Sequence, residues 1–465
     1  MSIRNIGKIN ALVHFILLAG CLFIASRFLT PGTSFSAFNF FYLDSLSAFF
    51  ILTIAVINFA SALFSIEYIA REAEKKGISE RKAQIYYLLF NLFTTSMFFV
   101  TIVNNLGMLW AAIEITTLVS AFLVGFYNTK RSVEAAWKYL IICSVGIIFA
   151  LLGTILFSYA LSMHTGIKSL NWTDLISMAG RLDMNMVKIA FIFILVGYGT
   201  KAGLAPMHNW LPDAHSQAIA PISALLSGVL LKTAIYAIVR FGIIVNISLG
   251  GRYFGHLMVL LGLVSLLISA SFVLTQKDIK RLLAYSSIEH IGIIAVGLGI
   301  GGPLGIFGAL LHIFNHAVTK SLMFFCAGDI VNAYGKHNMY AIRGTLKILP
   351  FTSFMFLFGM LALSGFPPFS IFMSEFLILT AAFLKGSYIA AGMMLLFIVI
   401  VSSAFIFHLS KVIFGRAPEG MTPVKESAGG KLALALLIIL ISIMGFAIPG
   451  PMNSLILSAA EVIKR

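Results

Sequence analysis

The stretch Val187-Lys-Ile-Ala-Phe-Ile-Phe-Ile-Leu-Val-Gly-Tyr-Gly-Thr-Lys201-Ala-Gly203-Leu-Ala-Pro206 decides the fold. It starts as an apolar run of the length that crosses a bilayer, about 20 residues. It ends on a lysine beside a Gly-x-x-Pro interruption. Freed backbone and a charge at membrane depth are tolerated only where they line a cavity or are buried in protein. The segment therefore belongs to a bundle of spanning helices with a polar interior. The composition agrees: of 465 residues, 60% are hydrophobic and 11% charged, and the mean hydropathy is +0.99. Soluble domains average about 25% charged residues. With Gly 39, Pro 12 and Cys 3, collagen-like, disordered and disulfide-scaffold classes are excluded.

Working outward, long apolar runs predict an all-α polytopic membrane protein of about thirteen spans, near 8–29, 43–69, 84–103, 105–125, 133–161, 187–210, 217–245, 254–276, 281–300, 303–332, 348–384, 387–414 and 431–450. The net charge is +15 and the pI about 9.7. The Lys and Arg fall mostly between spans, with no basic stripe interleaved with aromatics, so nucleic acid is not expected as a partner. Nineteen of them lie on the side of the N-terminus. Eight lie on the other: Arg27, Lys168, Arg181, Lys188, Arg252, Lys385, Lys464 and Arg465. By the positive-inside rule the N-terminus is cytoplasmic, and an odd span count puts the C-terminus outside, in a cytoplasmic (inner) membrane. No signal-peptide cleavage site follows the first span. Cys21, Cys143 and Cys326 lie in apolar stretches as small core residues. Phosphate-cradling loops, Cys-x-x-Cys and H-E-x-x-H are absent, and the loops are too short for a soluble catalytic fold.

Ionisable residues at bilayer depth are costly and mark function. Glu114 is a lone carboxylate mid-span. Lys201 adjoins the break, and with Glu114 it would form a pair whose proton affinity responds to displaced charge. Lys232 is too central to snorkel. His312, His316 and Lys320 follow at i, i+4 and i+8, one helical face. Two histidines at i, i+4 also suit a metal, but Lys320 opposes a cation, so a proton relay fits better. His290 is a further relay candidate, with Glu289 beside it expected close to the surface. Glu375 is a second lone carboxylate, after the second interruption. The breaks share Gly-x-x-Pro, at Gly203–Pro206 and at Gly365–Pro368 with Pro367 between. Paired breaks are a hint of internal repeats. Five-helix units at 84–245 and 254–414, flanked by 1–83 and 415–465, have the parity that inverts one against the other.

The run Lys201-Ala-Gly-Leu-Ala-Pro-Met-His208-Asn-Trp210-Leu-Pro212-Asp213-Ala-His215-Ser-Gln217-Ala, the segment Gln276–His290, the segment His312–Lys320 and the segment Gly365–Glu375 together resemble the antiporter-like membrane subunits shared by respiratory complex I, Mrp-type cation/proton antiporters and membrane-bound, hydrogenase-4-like hydrogenases. The resemblance covers roughly 40–450. It implies two inverted five-helix repeats, each with a broken helix. It implies that Glu114 and Lys201 form the pair of the first half-channel, Lys232 links, and His290, His312, His316 and Lys320 line the central axis. Glu375 stands where some members carry lysine. Two departures stand out. The family core has fourteen helices, and this chain reads as thirteen with the first missing. It also ends shortly after its last span, without the long lateral helix of the most distal complex I subunit; 451–463 fit one short interfacial helix.

The function expected is proton (or Na⁺) translocation within a redox-driven complex, with no catalytic centre, metal or cofactor in this chain. Iron–sulfur clusters, with NiFe or flavin, would sit in peripheral redox subunits, beside antiporter-like sisters in the bilayer. A Na⁺/H⁺ antiporter subunit, and the membrane partner of an inorganic-carbon accumulation complex, are the alternatives.

Overall fold

The computed structural model describes residues 2–464, so Arg465 of the outer charge set lies outside the described residues. Among the described residues, eleven helices are long and apolar enough to span a membrane, against about thirteen expected. Two further places account for the difference. Gly302–Tyr334 is long but carries His312, Asn315, His316, Lys320 and Asp329. The expected span 348–384 is two shorter apolar helices, Pro350–Leu363 and Ser370–Leu384.

Helix ends follow from local chemistry. Asp44, Ser79, Asn105 and Asp183 cap the helices that follow them, each accepting from a backbone N–H of the first turn. Gly77, Gly166, Gly203 and Gly335 end helices in the left-handed region, where a side chain would be strained. The 187–210 span stops at Ala202, turns through 204–209 and resumes as Trp210–Gln217. Small residues bring helices close: a Cβ at Gly197 would meet Ala150, and one at Gly146 would meet Thr200.

Burial sorts the helices. Ile3–Ser26 is only 28% buried over its apolar window and shows Leu12, Ile16 and Phe23 outward. The windows of Ala220–Leu249 and Ile279–Ile300 are 100% and 94% buried. These two, with Gly302–Tyr334, form the centre, and they carry Lys232, His290 and the His312–Lys320 face.

One element was not expected. Ser34–Ala37 and Phe41–Asp44 form an antiparallel hairpin, with Phe38 and Asn39 at positive φ in its turn. Phe-Asn is a weaker turn signal than Asn-Gly, and the hairpin is held from outside by the Asn104 N–H donating to the Phe40 carbonyl, 2.8 Å. The short C-terminal helix expected at 451–463 is observed as Gly450–Ile463.

Candidate functional site

Lys201 lies in the last turn of Met184–Ala202, where carbonyls run out of intrahelical partners. Its ammonium is buried and donates to Thr117 Oγ1 at 2.8 Å and to Tyr139 OH at 2.6 Å, with the Tyr139 ring centroid at 4.8 Å. Tyr139 OH in turn meets Ser120 Oγ at 2.7 Å. Glu114 is half-buried and accepts from Ser144 Oγ at 2.7 Å, while its Oε2 is buried without a partner. Glu114 and Lys201 make no direct salt-bridge contact. Thr117, one turn along from Glu114, holds the lysine instead.

Lys232 owes its position to a π-helical widening at Leu226–Leu230. Such a bulge releases a carbonyl from the helical ladder. Here the Ser227 carbonyl accepts from Lys232 Nζ. Ser227 Oγ meets Ser287 Oγ of Ile279–Ile300 at 2.8 Å, tying the lysine's helix to that of His290.

The histidines come together from two helices. His290 Nδ1 lies 3.0 Å from His312 Nε2, and His312 Nδ1 lies 2.9 Å from Ser374 Oγ. His316 stacks on His290 with ring centroids 4.6 Å apart. Both His316 nitrogens and His290 Nε2 are buried without a partner. Glu375, 6% exposed, follows Ser374; its carboxylate lies against Gly365, so the second break makes room for it. One ligating atom from each of His290, His312 and Glu375 lies within 4.8 Å of the others. Tetrahedral zinc ligands at about 2.0–2.2 Å from the ion stand about 3.4 Å from one another, so this spread is loose. Lys320 is apart from the chain of imidazoles and donates to the Leu283 carbonyl at 2.7 Å and to Ser286 Oγ. The structure therefore brings His290, His312, His316 and Glu375 into one cluster, with Lys232 and Lys320 in electrostatic reach. It leaves Glu114 and Lys201 in a separate one.

Several buried polar groups escaped sequence reasoning. Glu289, expected near the surface, is 4% exposed, because Ile279–Ile300 is enclosed on nearly all sides. His215 is fully buried and stacks on Phe324, centroids 4.9 Å apart. Arg240 and Asp44 form a buried two-pronged ion pair at 2.7 Å, with Trp172 4.5 Å from the guanidinium. A charge on the apolar run 217–245 was the available signal for Arg240. At the Lys75–Lys76 end, a cavity of about 590 Å³ reaches from Glu72 to Ser216, Gln217 and Lys280. His337 lines it, and burial pushes that imidazole below its usual range.

Residues 103–406 match the NADH:quinone oxidoreductase/Mrp antiporter transmembrane family. The chain is 41% identical over 427 residues to the hydrogenase-4 component F homolog of Methylacidiphilum infernorum (isolate V4), covering 91% of this chain and 88% of that protein. It is 31% identical over 380 residues to NADH-quinone oxidoreductase subunit N of Desulforudis audaxviator (strain MP104C), covering 81% and 71%. A chain of the membrane-bound sulfane sulfur reductase, an archaeal respiratory membrane complex, superposes with a TM-score of 0.85 at 25% identity, over 99% of this chain and 91% of that one.

Proposed function

Because the chain belongs to the NADH:quinone oxidoreductase/Mrp antiporter membrane family, we propose that this antiporter-like, multi-pass subunit translocates protons within a redox-driven complex of the hydrogenase type. The observation that carries the reading is the hydrogen-bonded run His290–His312–Ser374 leading to Glu375, every member of it buried. Imidazole both donates and accepts near neutral pH, so such a run passes protons. Displaced charge beside Glu114, imposed by a neighbouring subunit, shifts the proton affinity of Lys201. The proton then moves by way of Lys232 to His316, His290 and His312 and on to Glu375, with Lys320 setting the field. The breaks occupy equivalent places in two inverted five-helix units, 84–245 and 254–414. The nineteen-to-eight basic bias supports a cytoplasmic N-terminus and an outer C-terminus. Iron–sulfur clusters, and NiFe or flavin, belong to peripheral subunits, and energy reaches this chain through its membrane neighbours.

The test is Lys201→Ala and Glu114→Gln in the intact complex, reading proton uptake into sealed vesicles during redox turnover. Each variant is expected to assemble and to lose at least about tenfold in coupled uptake, as removal of an essential relay group does. Full pumping by either overturns the proposal.

A further inference from the structure

At the end of the bundle away from the Lys75–Lys76 face lies a cavity of about 1010 Å³. Arg252, His256, Lys385 and Lys464 bring four basic side chains to it, all solvent-exposed. Among the described residues no Asp or Glu lines it, and of the four bases Lys464 also pairs with Glu461 one turn back on its own helix. Below the charges the wall is apolar, with Phe254, Val259, Leu260, Leu263, Leu298 and Ile306. The cavity is thus two-toned: cationic at the rim, hydrocarbon-like beneath.

Backbone adds to the positive rim. Three long helices begin at this cavity, Arg252–Val273, Gly302–Tyr334 and Tyr388–Phe414, with Gly251, Gly301 and Ser387 at their N-caps. None of the three has a side-chain cap or an acidic residue in its first turn. First-turn N–H groups without caps, and the positive ends of helix dipoles, favour an anion.

The charge distribution points the same way. Under the positive-inside reading this is the face that should be poor in Lys and Arg. Yet three of its basic residues, Arg252, Lys385 and Lys464, converge on one cavity. Topology does not account for that convergence, whereas an anionic ligand does. Its size and apolar lower wall exceed what an inorganic anion needs. We propose that the cavity binds an anionic phospholipid, the phosphate at the Arg252–Lys385–Lys464 rim and the acyl chains along Leu260, Leu263 and Ile306. Lys385 donates to the Ile300 carbonyl, at the join between the His290 and His312 helices. A lipid there braces that join.

The test uses the full chain in its complex, delipidated in mild detergent, with native mass spectrometry and thermal unfolding as readouts. Phosphatidylglycerol and phosphatidylcholine of identical acyl chains are titrated, and inorganic phosphate is added separately. The expected result is one retained phosphatidylglycerol, a raised unfolding temperature, and no comparable effect of phosphatidylcholine. Arg252→Gln combined with Lys464→Gln should weaken binding about thirtyfold, from the usual contribution of two basic residues. Lys168→Gln combined with Arg181→Gln, on the same face but away from the cavity, should leave it unchanged. Equal binding of both lipids overturns the proposal. So does stabilisation by phosphate equal to that by phosphatidylglycerol, or retention that ignores the Arg252/Lys464 change.

Discussion

Counted from their glycines, the two helix breaks set side chains at the same offsets with different contents. Both run Gly-x-x-Pro, with φ of 78° at Gly203 and 68° at Gly365, and the Ala205–Pro206 and Pro367–Pro368 peptides are both cis. Two residues before the glycine stand Lys201 and Leu363, both buried. Ten residues after it stand Asp213 and Glu375. Asp213 is held at the surface by Arg281 at 2.6 Å and Lys138 at 3.5 Å. Glu375 has no ion pair among the described residues and lies beside His290 and His312. The first break thus turns a cation inward and an anion outward, and the second turns an anion inward with leucine in the cation's place. One backbone frame serves two electrostatic tasks, and the partners packed around it decide which.

The strongest way to break that contrast is to give the second site the first site's charge. Leu363→Lys would bury an ammonium where an apolar side chain is now buried. An uncompensated buried charge costs about 3–5 kcal/mol. Poor assembly and a much lower unfolding temperature are expected. An unchanged unfolding temperature would mean that the two surroundings are alike. The converse, Lys201→Leu, should cost far less stability, since Tyr139 keeps its bond to Ser120. It should abolish coupled proton uptake all the same.

Next in size is the pair of acids at the tenth position. Glu375→Gln keeps shape and removes the proton acceptor, so transport should fall at least about tenfold. Asp213→Asn weakens a partly exposed pair worth about 1 kcal/mol or less, and transport should change less than about twofold. Vesicle proton uptake by the two variants side by side decides it. Similar losses would show that Asp213 also belongs to the path.

The frame of this contrast was legible in the sequence and its wiring was not. Run length and Gly/Pro punctuation locate the spans and both breaks, because a bilayer fixes length and a break needs a residue without a Cβ at positive φ. Lone charges in apolar runs pick out Glu114, Lys201, Lys232 and Glu375 for the same reason. Rotation about the helix axis is another matter. A helix apolar on nearly every side has no stripe to show which face turns inward. Hence Glu289 was placed near the surface, and the Thr117–Tyr139 cradle that stands between Glu114 and Lys201 went unseen. The π-helical widening under Lys232 and the 34–44 hairpin depend on neighbours across the bundle, which no local pattern records.

The smallest expected effect gives the sharpest test, because it changes one methyl group at each break. Gly203→Ala and Gly365→Ala both force a side chain into the left-handed region, at about 1–2 kcal/mol each. Unfolding temperatures should therefore fall by similar amounts. The neighbours differ. The new methyl at 203 would press on Leu211 Cδ1, the free end of a flexible side chain. The methyl at 365 would overlap the Glu375 carboxylate itself. Lys201 can keep its bonds to Thr117 and Tyr139 in the first variant, whereas Glu375 must leave its place beside His290 and His312 in the second. Gly365→Ala should therefore lose several-fold in transport, and Gly203→Ala should stay near the parent. Equal transport in the two would mean that the position of Glu375 against its glycine is incidental, and that the inward turn of the anion does not depend on the second break.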